Sequence, residues 1–206
     1  MTKSKSSKQW LKSQNRDPYV KKARESQFRS RAVYKLQEIN QKDKLIKPNY
    51  CVIDLGSSPG GWSQYLNSIV DSRGQIIAID ILPMEPIDRV FSILGDFTDE
   101  IVQKQCITKA GKQGADLVIS DMSPNLTGIR ITDQARNIAL AELVYNFCTQ
   151  ILKPGGDLLI KLFEGEGTHE YRQLLQDNFI KVLIRKPRAS RDQSREFYVL
   201  ARSYKL

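Results

Sequence analysis

The segment Cys51-Val-Ile-Asp-Leu-Gly-Ser-Ser-Pro-Gly-Gly-Trp62 constrains this chain more than any other. A β-branched apolar run ends in an acid, turns through glycines and enters a helical pattern, as in the first strand, nucleotide loop and first helix of a βαβ unit. Gly56, Gly60 and Gly61 carry no Cβ, so the turn can be tight and a ligand can approach the backbone. Asp54 ends the strand just before this turn. A carboxylate there would repel a pyrophosphate and attract a cationic group.

Short β-branched runs then alternate with longer helical stretches. Strands are expected at Cys51–Asp54, Gln75–Asp80, Phe91–Leu94, Leu117–Ser120, Leu158–Leu162, Lys181–Arg185 and Phe197–Ala201. Helices are expected around Val33–Gln41, Trp62–Val70, Glu100–Ala110, Asp133–Ile151 and Glu170–Asn178. This alternation predicts an α/β domain with a mostly parallel sheet and helices on both faces. The loop Lys186–Ser194 is too short for a crossover helix, so the last two strands are read as an antiparallel hairpin at the C-terminal edge. The 206 residues suit one domain, residues 29–206, behind a basic extension of residues 1–28.

Composition narrows the class further. With 40% hydrophobic and 27% charged residues the chain is of ordinary globular type, not disordered or collagen-like. Cys51, Cys106 and Cys148 lie far apart in apolar runs, without CxxC spacing or neighbouring histidines. They read as core residues in a reducing compartment, and no structural metal is expected. The lone His169 has no nucleophile or ligand pattern beside it and reads as incidental. No apolar run approaches the roughly 18 residues of a membrane helix, and there is no secretory leader, so a cytoplasmic protein is expected.

The ends of the later strands carry the chemistry. Asp80 lies twenty residues beyond Gly60, where a carboxylate can accept hydrogen bonds from ribose hydroxyls. Asp96, in Leu94-Gly-Asp-Phe97, can meet the exocyclic amine of an adenine, with Phe97 beside the ring. Adenosine with a positively charged tail points to S-adenosylmethionine. NAD fits worse, because Gly56-x3-Gly60-Gly61 departs from GxGxxG and there is no GK[ST] phosphate motif. Asp121 closes the apolar run Leu117-Val-Ile-Ser, and Lys161 interrupts Leu158-Leu-Ile-Lys-Leu-Phe. A buried lysine is costly without a partner, so the two are expected to converge beside the cofactor.

These segments closely resemble the bacterial FtsJ/RrmJ (RlmE) family, which methylates a uridine 2′-hydroxyl of 23S rRNA in the large ribosomal subunit. The resemblance runs from about Arg29 through Ser30-Arg-Ala-Val-Tyr-Lys35-Leu, Asp54 to Tyr65, Asp80-Ile-Leu-Pro-Met84, Gly95-Asp-Phe97, Ser120-Asp-Met-Ser-Pro-Asn125, Lys161 to Gly167, Arg185-Lys-Pro187 and Ser194-Arg-Glu196. Ser57-Ser58 and Leu126-Thr127 are mild departures. The resemblance implies a Rossmann-like S-adenosylmethionine-dependent methyltransferase fold that releases S-adenosylhomocysteine. It implies a catalytic tetrad Lys35, Asp121, Lys161 and Glu196, with cofactor contacts at Gly60, Trp62, Asp80, Asp96 and Asp121; Trp62 is read as packing on the cofactor. Desolvation and a neighbouring ammonium ease loss of a lysine proton, so Lys161 is expected as general base with Lys35 beside it. Asp121 would orient Lys161, Glu196 would hold one of the lysines, and Lys35 would also fix the target ribose or phosphate. Related tRNA and cap methyltransferases share the tetrad, but the length favours the rRNA type. A ribosome-assembly factor that keeps the fold as a scaffold is the main reading of another class.

Charge points the same way. Residues 1–31 carry a net +8, residues 32–180 a net −5 and residues 181–206 a net +6. If the ends meet on one face they form a patch for a polyanion, bound through phosphates and therefore salt-dependent. Lys3, Lys5, Lys8 and Lys12 read as a solvated tail, with an organellar transit peptide as the lesser reading of this start. Lys21, Lys22, Arg24, Arg29 and Arg31 lead into a helical pattern and are RNA candidates, with Arg188 and Arg191 from the C-terminal loop. A monomer is expected.

Overall fold

The computed structural model describes residues 17–191 and 193–205; Lys3, Lys5, Lys8 and Lys12 lie outside them. Helices α1 (Pro18–Glu25) and α2 (Val33–Asp43) lead into strand β1 (Cys51–Leu55). Then come α3 (Gly61–Asn67), β2 (Gln75–Asp80), β3 (Val90–Leu94), α4 (Glu100–Ala110) and β4 (Ala115–Ser120). The chain ends with α5 (Arg130–Ile151), β5 (Leu152–Phe163), α6 (Thr168–Asn178), β6 (Phe179–Arg185) and β7 (Glu196–Tyr204).

The strands form one sheet in the order β3-β2-β1-β4-β5-β7-β6. The pairs from β3 to β5 are parallel, and β7 runs antiparallel to both β5 and β6. The sheet therefore has the expected class, but the reversed strand is not at its edge. After α6 the chain lays β6 outside a gap one strand wide, and β7 returns to fill it. Burial explains the choice: Phe197 to Ala201 of β7 are buried without a break, as an inner strand requires, whereas Ile180, Lys181 and Ile184 of β6 are exposed.

Strand alternation divides the core into two layers. Ile53, Leu55, Ile77, Ile79, Val118, Leu158 and Ile160 face α4, α5 and α6, where Cys106, Val144, Phe147 and Leu175 are fully or almost fully buried. Val52, Ile76, Leu117, Ile119 and Leu159 face α2 and α3 with Leu36, Ile39, Trp62 and Leu66. All three cysteines are buried and free, and burial pushes the thiols of Cys51 and Cys106 up to about 11 and about 12.

Helix α1 was not among the expected elements, although its start was signalled. Asp17 caps it by accepting from Tyr19 N at 2.9 Å, and Pro18 occupies the first turn, where its missing N–H costs nothing. Ala23 packs with Val33, Tyr34 and Ala189, which ties α1 to α2 and to the loop before β7. At α5 the helix begins at Arg130 rather than Asp133, because the Asp133 carboxylate reaches back to accept from Thr127 N, Thr127 Oγ1 and Gly128 N.

Candidate active site

A cavity of about 700 Å³ opens at the carboxyl ends of β1 to β4, between the turn after β1 and helix α5. Gly56, Asp80, Asp96, Phe97 and Asp121 line it, from the ends of β1 to β4 or the turns just beyond, Asp96 and Phe97 sharing the turn after β3. This is where open α/β sheets place ligands, because the loops diverge around the strand ends. Gly56 and Ser57 both donate backbone N–H groups to Ile79 O, at 2.9 and 3.2 Å, which draws the turn against β2. Gly56 has φ +77°, and a Cβ there would meet Met122 Cγ at 2.6 Å, so glycine is required.

Asp80 accepts from Ser58 N and Leu82 N, both at 2.8 Å, and so fixes the turn and the loop that follows β2. Asp96 accepts from Thr98 N and Thr98 Oγ1 through one oxygen, and these bonds hold its carboxyl below the usual range. Phe97, almost fully buried, meets Phe147 edge-on at 5.2 Å and lines the cavity.

Asp54 is almost fully buried. It accepts from Ser63 Oγ at 2.6 Å, while its second oxygen, Oδ1, has no hydrogen-bond partner. Burial pushes this acid up to about 7 against the pull of Ser63, and nearby Asp121 and Asp80 add to the rise. An orphaned buried carboxylate oxygen beside a nucleotide turn fits a ligand with a positive end.

Not every residue expected at the cofactor faces the cavity. Asp54, Gly60, Gly61 and Trp62 are absent from its wall. The Trp62 side chain points the other way: Nε1 donates to Ala32 O at 2.8 Å, and the ring lies 5.9 Å from that of Tyr198. The ring thus packs in the α2 layer rather than in the cavity, because the first turn of α3 aims the indole there. Gly60 adopts φ +110° as the N-cap of α3 and abuts Met84 and Arg29.

Next to the cavity stand two ion pairs. Lys161 Nζ lies 3.1 Å from Asp121 Oδ1 and also donates to the Asp121 backbone carbonyl. Lys35, from α2, lies 2.7 Å from Glu196 Oε1 at the start of β7. Both lysine side chains are 8% exposed, so each is paired out of bulk water. Burial alone would raise Asp121, but the ammonium groups of Lys161 and Lys35 and hydrogen bonds from Tyr198 and Lys161 hold it below the usual range. Asp121 thus has two sides, one on the cavity and one on the lysine.

Sequence reasoning missed Tyr198. Its hydroxyl donates to Asp121 Oδ1 at 2.7 Å, and its ring centre is 5.7 Å from Lys35 Nζ. Tyr198 pairs with Lys161 in the β5–β7 register, and Glu196 pairs with Phe163. The period of two along β7 puts Tyr198 on the same face as Glu196, a signal available in the sequence once β7 is placed beside β5.

The basic candidates divide into two groups. Lys21, Lys22, Arg24, Arg188 and Arg191 are exposed, although Lys22 sits 4.7 Å over the Tyr34 ring and Arg191 is 3.9 Å from Asp17. The other two turn inward. Arg31 pairs with Asp17 at 2.9 Å and donates to Ala189 O, and Arg29 donates to backbone carbonyls of Pro59, Glu85 and Pro86. Internal acceptors thus hold both guanidinium groups, although Arg31 Nε, beside Asp17, makes no hydrogen bond. The Arg31–Ala189 bond also ties the segment before α2 to the loop before β7. His169 is exposed in the first turn of α6, and no His/Cys/Asp/Glu cluster among the described residues could hold a metal.

A seven-stranded sheet with β7 reversed inside it, and an acid-lined cavity abutting a Lys–Asp pair, defines a Rossmann-like methyltransferase class. The FtsJ-like methyltransferase family matches residues 28–204, and the chain belongs to that family. It is 48% identical to the ribosomal RNA large subunit methyltransferase E of Pseudomonas aeruginosa, over all of this chain and 99% of that protein. Among solved structures, a Plasmodium falciparum protein described as a ribosomal RNA methyltransferase superposes with a TM-score of 0.77 at 26% identity, covering 86% of this chain and 98% of that one. Aeropyrum pernix fibrillarin, crystallised with natively bound S-adenosyl-L-methionine, shares the fold at a TM-score of 0.58 and 17% identity, over 84% of this chain and 74% of that one.

Proposed function

We propose that this chain transfers a methyl group from S-adenosylmethionine to the 2′-hydroxyl of a uridine ribose in 23S rRNA of the large ribosomal subunit. The observation that carries the reading is Asp121, which lines the cavity with one side and holds Lys161 with the other. The name of the Pseudomonas relative supports the large-subunit substrate. The cavity fits the cofactor in size and donor set: Asp80 suits a ribose diol, and Asp96 and Phe97 an adenine.

When bound, S-adenosylmethionine supplies an electrophilic methyl group and is released as S-adenosylhomocysteine. The protein must align a ribose hydroxyl with that methyl group and remove its proton, because an alcohol is a weak nucleophile. To act as base Lys161 would enter the step as the neutral amine, its Nζ taking the 2′-hydroxyl proton as the hydroxyl oxygen gains the methyl group and S-adenosylhomocysteine departs as the leaving group. Asp121 and Tyr198 fix the position of that nitrogen. Lys35, held by Glu196, would bind the target ribose or its phosphate. The exposed lysines and arginines of α1 and the 186–191 loop would contact flanking phosphates, which positions RNA without reading sequence. We place this activity in the cytoplasm and in a monomer. No helix among the described residues is long and apolar enough to cross a membrane.

The test is radiolabelled methyl transfer to unmodified large subunits, naked 23S rRNA and bulk tRNA in parallel, with alkaline-resistance mapping of the product. Label on a 23S uridine ribose is the expected result. Label on tRNA alone would keep the chemistry and overturn the substrate. Cofactor binding without label on any RNA would favour an assembly factor.

A further inference from the structure

Arg29, half-buried at the surface, bonds to the cavity's own loops. Its guanidinium donates to Pro59 O at 3.4 Å, to Pro86 O at 3.0 Å and to Glu85 O. Its backbone N–H donates to Gln64 Oε1 at 2.8 Å, which fixes the residue against α3. These carbonyls belong to two different loops, the turn after β1 and the segment after β2. Two of them belong to prolines, which have no N–H with which to knit the loops together. Asp80 joins the same loops from the other side, accepting from Ser58 N and Leu82 N. Ser58, Asp80, the 82–86 segment and Arg29 thus close a ring of contacts around the base of Asp80.

A planar fork with donors fixed in direction can meet carbonyls of two separate loops at once, and a lysine ammonium on a flexible stem holds them less well. A glycine at position 60 leaves room for this fork: a Cβ there would lie 3.0 Å from Arg29 Nη1 and 2.8 Å from Met84 Sδ.

We propose that Arg29 is a positioning residue for cofactor binding, acting through Asp80 and the two loops rather than through RNA. The inference rests on the reading of the cavity as the S-adenosylmethionine site. It excludes Arg29 from the phosphate-binding set to which its charge would assign it.

The test uses the full-length protein and calorimetric titration with S-adenosylhomocysteine, with wild type, Arg29→Lys and Arg29→Gln compared. Losing the cross-loop bonds should weaken binding about tenfold in Arg29→Gln, with Arg29→Lys in between. KM for S-adenosylmethionine should rise in step, with kcat at saturating cofactor within about threefold of wild type, because uniform binding is what is lost. The salt slope of RNA binding should stay at its wild-type value, whereas loss of a phosphate contact would reduce it by about 0.7–0.9. Unchanged S-adenosylhomocysteine affinity in both variants, or a lowered salt slope, would overturn the inference. Wild type that fails to bind S-adenosylhomocysteine would instead overturn the reading of the cavity. Should Arg29→Gln fail to fold in a thermal melt, Arg29→Lys carries the same comparison.

Discussion

Lys161 and Asp54 show how two buried charges in one molecule are treated differently. Lys161 finds its counter-charge in Asp121, 3.1 Å away, whereas Asp54 has a single hydroxyl donor and an orphaned oxygen. Lys161→Ala should lower methyl transfer by at least about 10³-fold, as expected when base and alignment are lost together, with S-adenosylhomocysteine affinity nearly intact. Lys161→Arg separates the two roles, because a guanidinium keeps the charge but cannot accept a proton. Substantial turnover in that variant would remove the base assignment.

For Asp54 the linkage sign follows from a folded value of about 7 against an ordinary 3.8. The folded state binds the proton more tightly, so the stabilising contribution is complete below pH 3.8 and is lost as pH rises towards 7. Asp54→Asn has no charge to bury, so its melting temperature relative to wild type should climb between pH 5 and pH 8 in cofactor-free protein. A constant offset across that range would show that Asp54 is already ionised when folded.

At the scale of elements, β7 makes the site. By entering between β5 and β6 it sets Tyr198 opposite Lys161 and brings Glu196 to Lys35 of α2. The far end of this arrangement is clamped as well: Arg185, at the end of β6, donates through Nε to Asp43 of α2 at 2.7 Å. Helix α6 carries the chain from β5 to β6, and its Leu175 is fully buried in the layer facing α5. Leu175→Ala should cost about 2–5 kcal/mol by leaving a cavity in that layer. Urea unfolding should show this as a lower midpoint with an unchanged slope. The cofactor cavity has its walls elsewhere, so S-adenosylhomocysteine affinity should stay within about twofold; a larger loss would mean that α6 packing governs the site.

Over the whole molecule, charge is arranged by contacts between the chain's ends. The Arg31–Ala189 bond and the Ala23, Val33, Tyr34 and Ala189 cluster place α1 beside the 186–191 loop, so two basic segments distant in sequence share one face. Reversing Arg188 and Arg191 to glutamate should weaken RNA binding more at low salt than at high salt and flatten the salt dependence. Loss that is equal at all salt concentrations would indicate misfolding instead.

The sequence by itself determined the parts of this protein that depend on local pattern. The strand and turn of Cys51–Trp62, the acids Asp80, Asp96 and Asp121 at strand ends, and the lysine inside β5 could all be read from periodicity, glycine placement and the cost of burying charge. Tertiary structure alone decided what depends on which segments become neighbours. It placed β7 inside the sheet rather than at its edge, because the more apolar strand takes the position buried on both faces. It brought Tyr198 to Asp121, turned Trp62 away from the cavity, and drew Arg29 and Arg31 inward from the surface their charge suggested. A side chain's type limits the partners it can take, but only the folded chain sets the distance to each of them.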